Sequence, residues 1–399
     1  MSRRRARVAA ALITVIILGA TLVPTSGTPD RNLVSLELTG YRGLADAITN
    51  VLLFIPLGVA LAGCGLAARK AAGVGALLSL LVELVQLAIP GRYTSPWDLL
   101  FNAAGAALGA VLVLHANAWA KPLRARRALS VAALLAALLV LVGGGVLLRP
   151  AVPYGDLYGQ WTAVFENMTA YSGRVTNAEV GPVRIPSRRV RQYVRLRRLL
   201  VDSADSAPIR VDFVAGEAPE GLAPIFGIFD ERGQEVVLVG ATGRDIVYRY
   251  RMLARTARLD EPDIRYEGAL EDVPAETPVR LQIGHEANGW CIAVNERAQC
   301  GLGFTLGDTW ALLVHPLPTR LAGGLSILWL IALFTPAGFW MRESDALLFL
   351  AVGGGVLAIA PTLLMLLTTP VTQFLAAAAG LAFGHIAGRM ARRTERPDT

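Results

Sequence analysis

Between residues 46 and 109 a few polar side chains recur inside otherwise apolar sequence: Asp46, Asn50, Glu83, Gln86, Asp98 and Asn102, with Arg92 beside them. An acid at the middle of a membrane helix costs about 2.5–3.5 kcal/mol on insertion scales, so several in neighbouring segments need a reason. Asp46 and Asn50 share one helix face. Glu83 and Gln86 lie on another, and Asp98, Asn102, Gly105 and Gly109 on a third, because steps of three and four stay on one side of a helix. Three chemistries fit these types. The amides and acids could bond to one another and to Arg92 and only fix helix packing, at about 0.6 kcal/mol per contact. They could form a site for a lipid headgroup or lipid-linked glycan, with Arg92 pairing with its phosphate. Glu83 and Asp98 could act as a general acid–base pair on a lipid-linked substrate, although no histidine or nucleophile accompanies them.

The elements that must carry these residues are membrane helices. The chain has 399 residues, of which 54% are hydrophobic and 17% charged, against about 45–50% and about 25% in soluble domains. The excess lies in long runs. An N-terminal anchor (1–23) follows Arg3, Arg4, Arg5 and Arg7, and is read as uncleaved because no clean small-residue cleavage site follows it. Helices are expected over 44–66, 71–89 and 98–115, with a tight turn from Pro90 to Trp97, and again over 128–148, 321–341, 346–367 and 371–389. Pro56 and Gly58 in the first of these, and Gly105-x-x-x-Gly109, are packing positions where a kink or a missing side chain lets helices approach. The basic clusters at residues 3–7, at Arg69 and Lys70, at 121–127, at Arg342 and at 389–396 fall on one side if there are eight crossings. The positive-inside rule makes that side cytoplasmic and holds both termini there, including the tail 390–399. The net charge of +7 therefore serves topology and does not indicate nucleic acid.

The polar unit, 44–115, resembles the VanZ-like family of bacterial membrane proteins through Asn50 to Gly58, Glu83-x-x-Gln86, Gly91-Arg92 and Asp98 with Asn102-x-x-Gly105-x-x-x-Gly109. Many members carry two adjacent acids before the glutamine; here the first is Val82. The resemblance implies a protein of the cytoplasmic membrane and cell envelope with a link to glycopeptide (teicoplanin) resistance. It implies no agreed reaction.

Residues 149–316 read differently. Alternating short runs at 209–213, 224–229, 235–239, 246–250, 279–283 and 290–294 are separated by turn signals such as Asn288-Gly289 and Asn295-Glu296, the pattern of a β-sandwich. Topology puts it outside. It resembles concanavalin A-like and laminin-G-like domains, which implies glycan or protein binding. It lacks the close acid triplet of glucanases on that fold. Cys291 and Cys300 could face one another across a hairpin, and an oxidising compartment would favour a disulfide. The basic run Arg188 to Arg198 reads as a solvated strand face.

An echo links the two helical regions. Phe54-Ile-Pro-Leu-Gly58 returns as Phe334-Thr-Pro-Ala-Gly338, and Asn102-x-x-Gly105-x-x-x-Gly109 as Ala377-x-x-Gly380-x-x-x-Gly384, with Gln373 where Asp98 stood. His115, His285, His315 and His385 lack ligand spacing, no phosphate-binding loop is present, and the Gly143–Gly145 and Gly353–Gly355 runs suit close packing. No metal or cofactor is expected. The reading is a multi-pass α-helical membrane protein of about eight crossings with an inserted all-β sandwich. It is expected to be non-catalytic, with membrane lipids, envelope glycan or a lipid-linked precursor as partners. An intramembrane enzyme using Glu83 and Asp98 is the alternative, and a transporter the third reading.

Overall fold

Runs of Leu, Val and Ala with polar residues on one stripe form the expected helices in the computed structural model, which describes residues 2–22, 43–89, 95–120, 125–165, 168–201, 207–286, 288–314 and 319–393. Four helices come first: α1 (Arg3–Thr21), α2 (Gly43–Gly63), α3 (Ala68–Gln86) and α4 (Pro96–Leu114). The last starts two residues earlier than its apolar pattern, because Ser95 caps it and Pro96 occupies its first turn. A short α5 (Ala116–Ala120), not anticipated, precedes α6 (Arg126–Leu147). After the β part come α8 (Thr319–Trp340), α9 (Ala346–Leu364) and α10 (Val371–Arg393). Six of these helices, α2, α4, α6, α8, α9 and α10, are long and apolar enough to cross a membrane. α1 and α3 are each 19 residues long but carry more charge, four arginines in one and Arg69, Lys70 and Glu83 in the other. Pro24 to Gly40, Arg92 with the rest of 90–94, Lys121, Arg124, His315 and the tail beyond Arg393 lie outside the described residues.

The intervening chain forms two antiparallel sheets. β1 (Leu157–Trp161), β5 (Ala223–Asp230), β6 (Glu235–Thr242), β7 (Asp245–Tyr250) and β8 (Ile264–Tyr266) make one, in that spatial order. The other runs β11 (Arg297–Leu302), β10 (Gly289–Val294), β9 (Pro278–Glu286), β4 (Ile209–Val214), β2 (Arg174–Val180) and β3 (Val183–Arg184). Alternate residues of β4 (Ile209, Val211, Phe213) and β9 (Val279, Leu281, Ile283) meet Phe226, Ile228, Val237, Val239 and Tyr248 of the facing sheet in one core. All six strands expected from alternation are present. The basic run is not a strand face: it enters α7 (Tyr193–Val201), whose Leu196 is buried in that core while Arg195 and Arg198 are exposed. A helical spacing of Leu196, Leu199 and Leu200 is the physical reason.

The sequence echo between the helical regions is accompanied by matching backbone contacts. Placing Pro56 on Pro336 and Gly105 on Gly380 aligns backbone contacts one by one. A Cβ on Gly58 would strike the carbonyl of Ala106, and one on Gly338 that of Leu381. Gly105 lies against Val51 as Gly380 does against Ile331, and Gly109 against Ile55 as Gly384 does against Thr335. The core of Ile17, Phe54, Leu57 and Ala106 reappears as Leu141, Phe334, Ala337 and Leu381. Ile17 and Leu141 belong to α1 and α6, so the matching contacts extend over four helices each, α1–α4 (the first copy) and α6 with α8–α10 (the second copy). α9 keeps the buried pattern of α3, with Phe349, Gly353, Leu357, Ala360 and Leu364 matching Ala71, Gly75, Ser79, Val82 and Gln86. Its partner differs: Gly75 abuts Ala106 of α4, whereas Gly353 abuts Phe334 of α8.

Candidate functional site

The β part meets the N-terminal end of α2 and, through its 306–312 turn, α6 and α8. The polar residues of the first copy lie at the C-terminal end of α3 and the N-terminal ends of α2 and α4. Gln86 Nε2 donates to the carbonyl of Thr21 at 2.9 Å, which ties α3 to α1. Glu83 Oε2 accepts from the backbone N–H of Ser95 at 3.0 Å, which ties α3 to the start of α4. The first N–H groups of α2, on Leu44 and Ala45, donate to the carbonyl of Arg258 in the β part at 3.2 and 3.3 Å. That carbonyl is aimed there because Arg258 ends a 3-10 turn (253–257) in the left-handed region, with φ 57°.

At these ends Asp98 lies within electrostatic range of Asp46 and Asn50 of α2 and of Glu83 of α3. Asp46 is exposed, and Asn50, Glu83 and Asp98 are half-buried. One turn deeper Asn102 is 7% exposed. Its Nδ2 donates to Ser79 Oγ at 2.9 Å, and its Oδ1 is buried without a hydrogen-bond partner. The six polar residues thus divide. Asp46, Asn50, Glu83 and Asp98 come together near the β part, Asn102 lies below them, and Gln86 serves the α1–α3 contact. Asp46 and Asp98 also sit in the first turns of α2 and α4, where a carboxylate complements the helix dipole. Arg92 lies outside the described residues. Ser79 lies on the same helix face as Glu83 and Gln86, as their spacing of three and four implies, whereas Ser95 is the partner that sequence reasoning missed; its signal was its place before Pro96 as a helix cap.

The second copy answers every polar position differently. Leu330 stands for Asn50, Pro361 for Glu83, Gln373 for Asp98, and the Asn102–Ser79 pair becomes Ala377 and Leu357. Ser326 stands for Asp46. Into this end the β part inserts a 3-10 turn, Leu306–Leu312, capped by Thr305 and Asp308. Gln373 Nε2 donates to Thr305 Oγ1 at 2.7 Å, and its Oε1 accepts from the N–H of Gly307 at 3.3 Å. Ser326 Oγ donates to Asp308 Oδ1 and accepts from Trp310 Nε1 at 3.0 Å. Ser326 and Gln373 are left 1% and 5% exposed. The second copy is therefore filled by the protein's own chain.

The remaining expectations fall as follows. Cys291 and Cys300 form a disulfide between β10 and β11, whose turn is Asn295-Glu296. Glu286 converges on those sulfurs, but the disulfide leaves no thiolate there for a metal. Gly144, Gly145 and Gly353 do sit in tight contacts, while Gly143, Gly354 and Gly355 have open space where a side chain would go, so only half of those runs is packing. The opposite end of the bundle is basic: Arg126 caps the carbonyls of Trp340 and Met341, Arg389 pairs with Glu343 at 2.9 Å, and Arg127 with Asp345 at 3.6 Å.

No curated protein and no solved structure matches the chain. A family model, VanZ/LLP1, matches residues 7–118. That span runs from α1 through α4 and holds the acids, amides and closely packed glycines. Over it the four N-terminal helices are similar to the VanZ/LLP1 family.

Proposed function

We propose that this protein is a non-catalytic component of the bacterial cell envelope, seated in the cytoplasmic membrane, whose first helical copy binds a lipid headgroup or lipid-linked precursor beneath the β part. The observation that carries the reading is the contrast between copies. One keeps Asp46, Asn50, Glu83 and Asp98 at least partly exposed at its polar end, and the other is filled by Asp308 and its neighbours. Intramembrane acids retained in one copy and lost from the other favour function over packing, since packing is achieved in the second copy without them.

Eight crossings, with both termini cytoplasmic and the β part outside, fit the basic end opposite the β part. The sandwich, read as concanavalin A-like or laminin-G-like, would present envelope glycan or a partner protein to the site. A contribution to teicoplanin-type resistance belongs to the same reading.

The test pairs thermal unfolding with lipid retention and glycopeptide sensitivity in Glu83→Gln, Asp98→Asn and Arg92→Ala. Retention and resistance should fall by degrees in all three while unfolding midpoints stay close to the parent. Full retention and full resistance in both amide variants would leave a purely structural bundle. Abolition of a measured turnover, with retention intact, would instead make Glu83 and Asp98 catalytic.

A further inference from the structure

We propose that α7 and the turn before it seat the β part on the membrane surface, with Arg191, Arg195 and Arg198 binding the phosphates of anionic phospholipid headgroups. This surface is separate from the polar cluster of the first copy and does not depend on it.

α7 lies at the end of the sandwich that meets the helices. The carbonyl of Phe304 accepts from the N–H of Leu367, between α9 and α10, at 2.9 Å, and Gly289 lies against the Leu367 side chain. Gly289 starts β10 opposite Glu286 at the end of β9; Ile283 of β9 pairs with Ile209 at the start of β4, and Ile209 with Val180 at the end of β2. In antiparallel neighbours the end of one strand lies beside the start of the next, so these residues share one end of the sheet. Gly181, the next residue, lies beside Ala207 and Leu199 of α7. A second tie runs to α6. Arg197 Nε donates to the carbonyl of Val152 at 3.2 Å, and Val152 is five positions past Leu147, the last residue of α6.

The helix has two faces. Leu196 is buried in the sandwich core, with Leu199 and Leu200 packed against it. Arg191, Val194, Arg195 and Arg198, related by steps of three and four, are exposed. Among the described residues these three arginines stand in no ion pair, whereas the neighbouring Arg189 is held by Asp156 at 2.8 Å. Beside them the Arg197 guanidinium covers the Tyr154 ring at 3.4 Å, yet Tyr154 is 84% exposed and Val194 54%. Folding does not account for this face, since Arg195 and Arg198 are like charges three apart on a helix. Topology does not either, because the positive-inside rule does not govern a segment as long as that between α6 and α8. A bilayer interface takes up all of it: guanidinium forks bind phosphate oxygens bidentately, and the ring and the valine enter the headgroup layer. A soluble anionic polymer would satisfy the arginines and leave the ring and the valine in water.

The experiment uses the full chain, with a nitroxide on Val194→Cys in a Cys64→Ser background, in nanodiscs of phosphatidylcholine alone or mixed equally with phosphatidylglycerol. Collision of the label with a water-soluble nickel chelate should fall severalfold in the mixed discs, and high salt should restore it, because exposed charges are screened. Arg191→Gln, Arg195→Gln and Arg198→Gln together should abolish the difference between discs. The same number of charges removed from the opposite end of the sheet, by Arg174→Gln, Arg280→Gln and Arg297→Gln, should leave it. The comparison of the two discs needs no arginine variant, so a variant that fails to fold does not blunt it. Equal collision rates in the two discs overturn the proposal, as does loss of the difference in both triple variants alike. Protection of the label by soluble polyphosphate in phosphatidylcholine discs, without protection by phosphatidylglycerol, overturns it in favour of an anionic polymer. The polar cluster of the first copy is untouched in every arm, so these outcomes are independent of the lipid retention measured in Glu83→Gln and Asp98→Asn.

Discussion

Arg251 and Asp230 show what a buried charge requires in the β part. Both Nη atoms of Arg251 donate to Asp230 Oδ2 at 3.1 Å, and the residues are 9% and 7% exposed. Asp230 Oδ1 accepts from the backbone of Arg232 and Gln234, which shapes the β5–β6 turn. Removing one partner strands the other. Asp230→Ala should destabilise the protein by about 3–5 kcal/mol, whereas replacing both members with apolar residues should cost far less. Denaturant unfolding of the two variants is the measurement. His285 carries a pH dependence. It meets Trp290 edge-on with 5.0 Å between ring centroids, and burial lowers its pKa from the ordinary 6.5. The neutral ring is thus the folded form. Its contribution is present above pH 6.5 and is lost as pH falls below that value toward the lowered pKa. Unfolding midpoints should drop on acidification through that window, and His285→Gln should flatten the drop.

Helix pairs α2–α4 and α8–α10 share one device. Small residues let two backbones touch, and in a lipid environment that contact is a main source of helix association. The substitutions that test it come in matched sets. Gly105→Leu and Gly380→Leu drive a side chain into the carbonyls of Val51 and Ile331, so both should lower the unfolding midpoint sharply, by at least the 1–3 kcal/mol or so typical of overpacking. Gly354→Leu meets open space and should be neutral within about 0.5 kcal/mol. Equal damage from all three would remove the close-packing account of the repeat. α3 and α9 explain why the copies diverged. Ser79 and Gly75 hold α3 against α4 by a hydrogen bond and a small contact, whereas α9, with Leu357 and Phe349 among its buried residues, lies mainly against α6.

At the scale of the whole molecule the β part couples the two helical copies, through the Arg258 carbonyl on α2 and the 306–312 turn between α8 and α10. A reporter inserted at Ser206 should read as outside the cytoplasm, and non-reducing mass spectrometry should find Cys291 joined to Cys300; a cytoplasmic readout would overturn the proposed eight-crossing topology. The helices were legible in sequence because long apolar runs have few other uses, and the strands because alternation at 209–213 or 279–283 fits one buried face. The acids, too, were identifiable by type and step. α7 was not, since seven arginines between 184 and 198 mask a short apolar stripe whose burial depends on the facing sheets. Nor did sequence show that Gln86 turns to Thr21, that Asn102 keeps an unpaired oxygen, or that Ile17 of α1 and Leu141 of α6 occupy matching core positions. Side-chain type and periodicity are local properties and survive in one dimension. Which backbone a glycine touches, which acid a neighbouring helix brings near, and which chain segment fills a site are set by contacts between residues as distant as Gly307 and Gln373, and only the tertiary structure decides those.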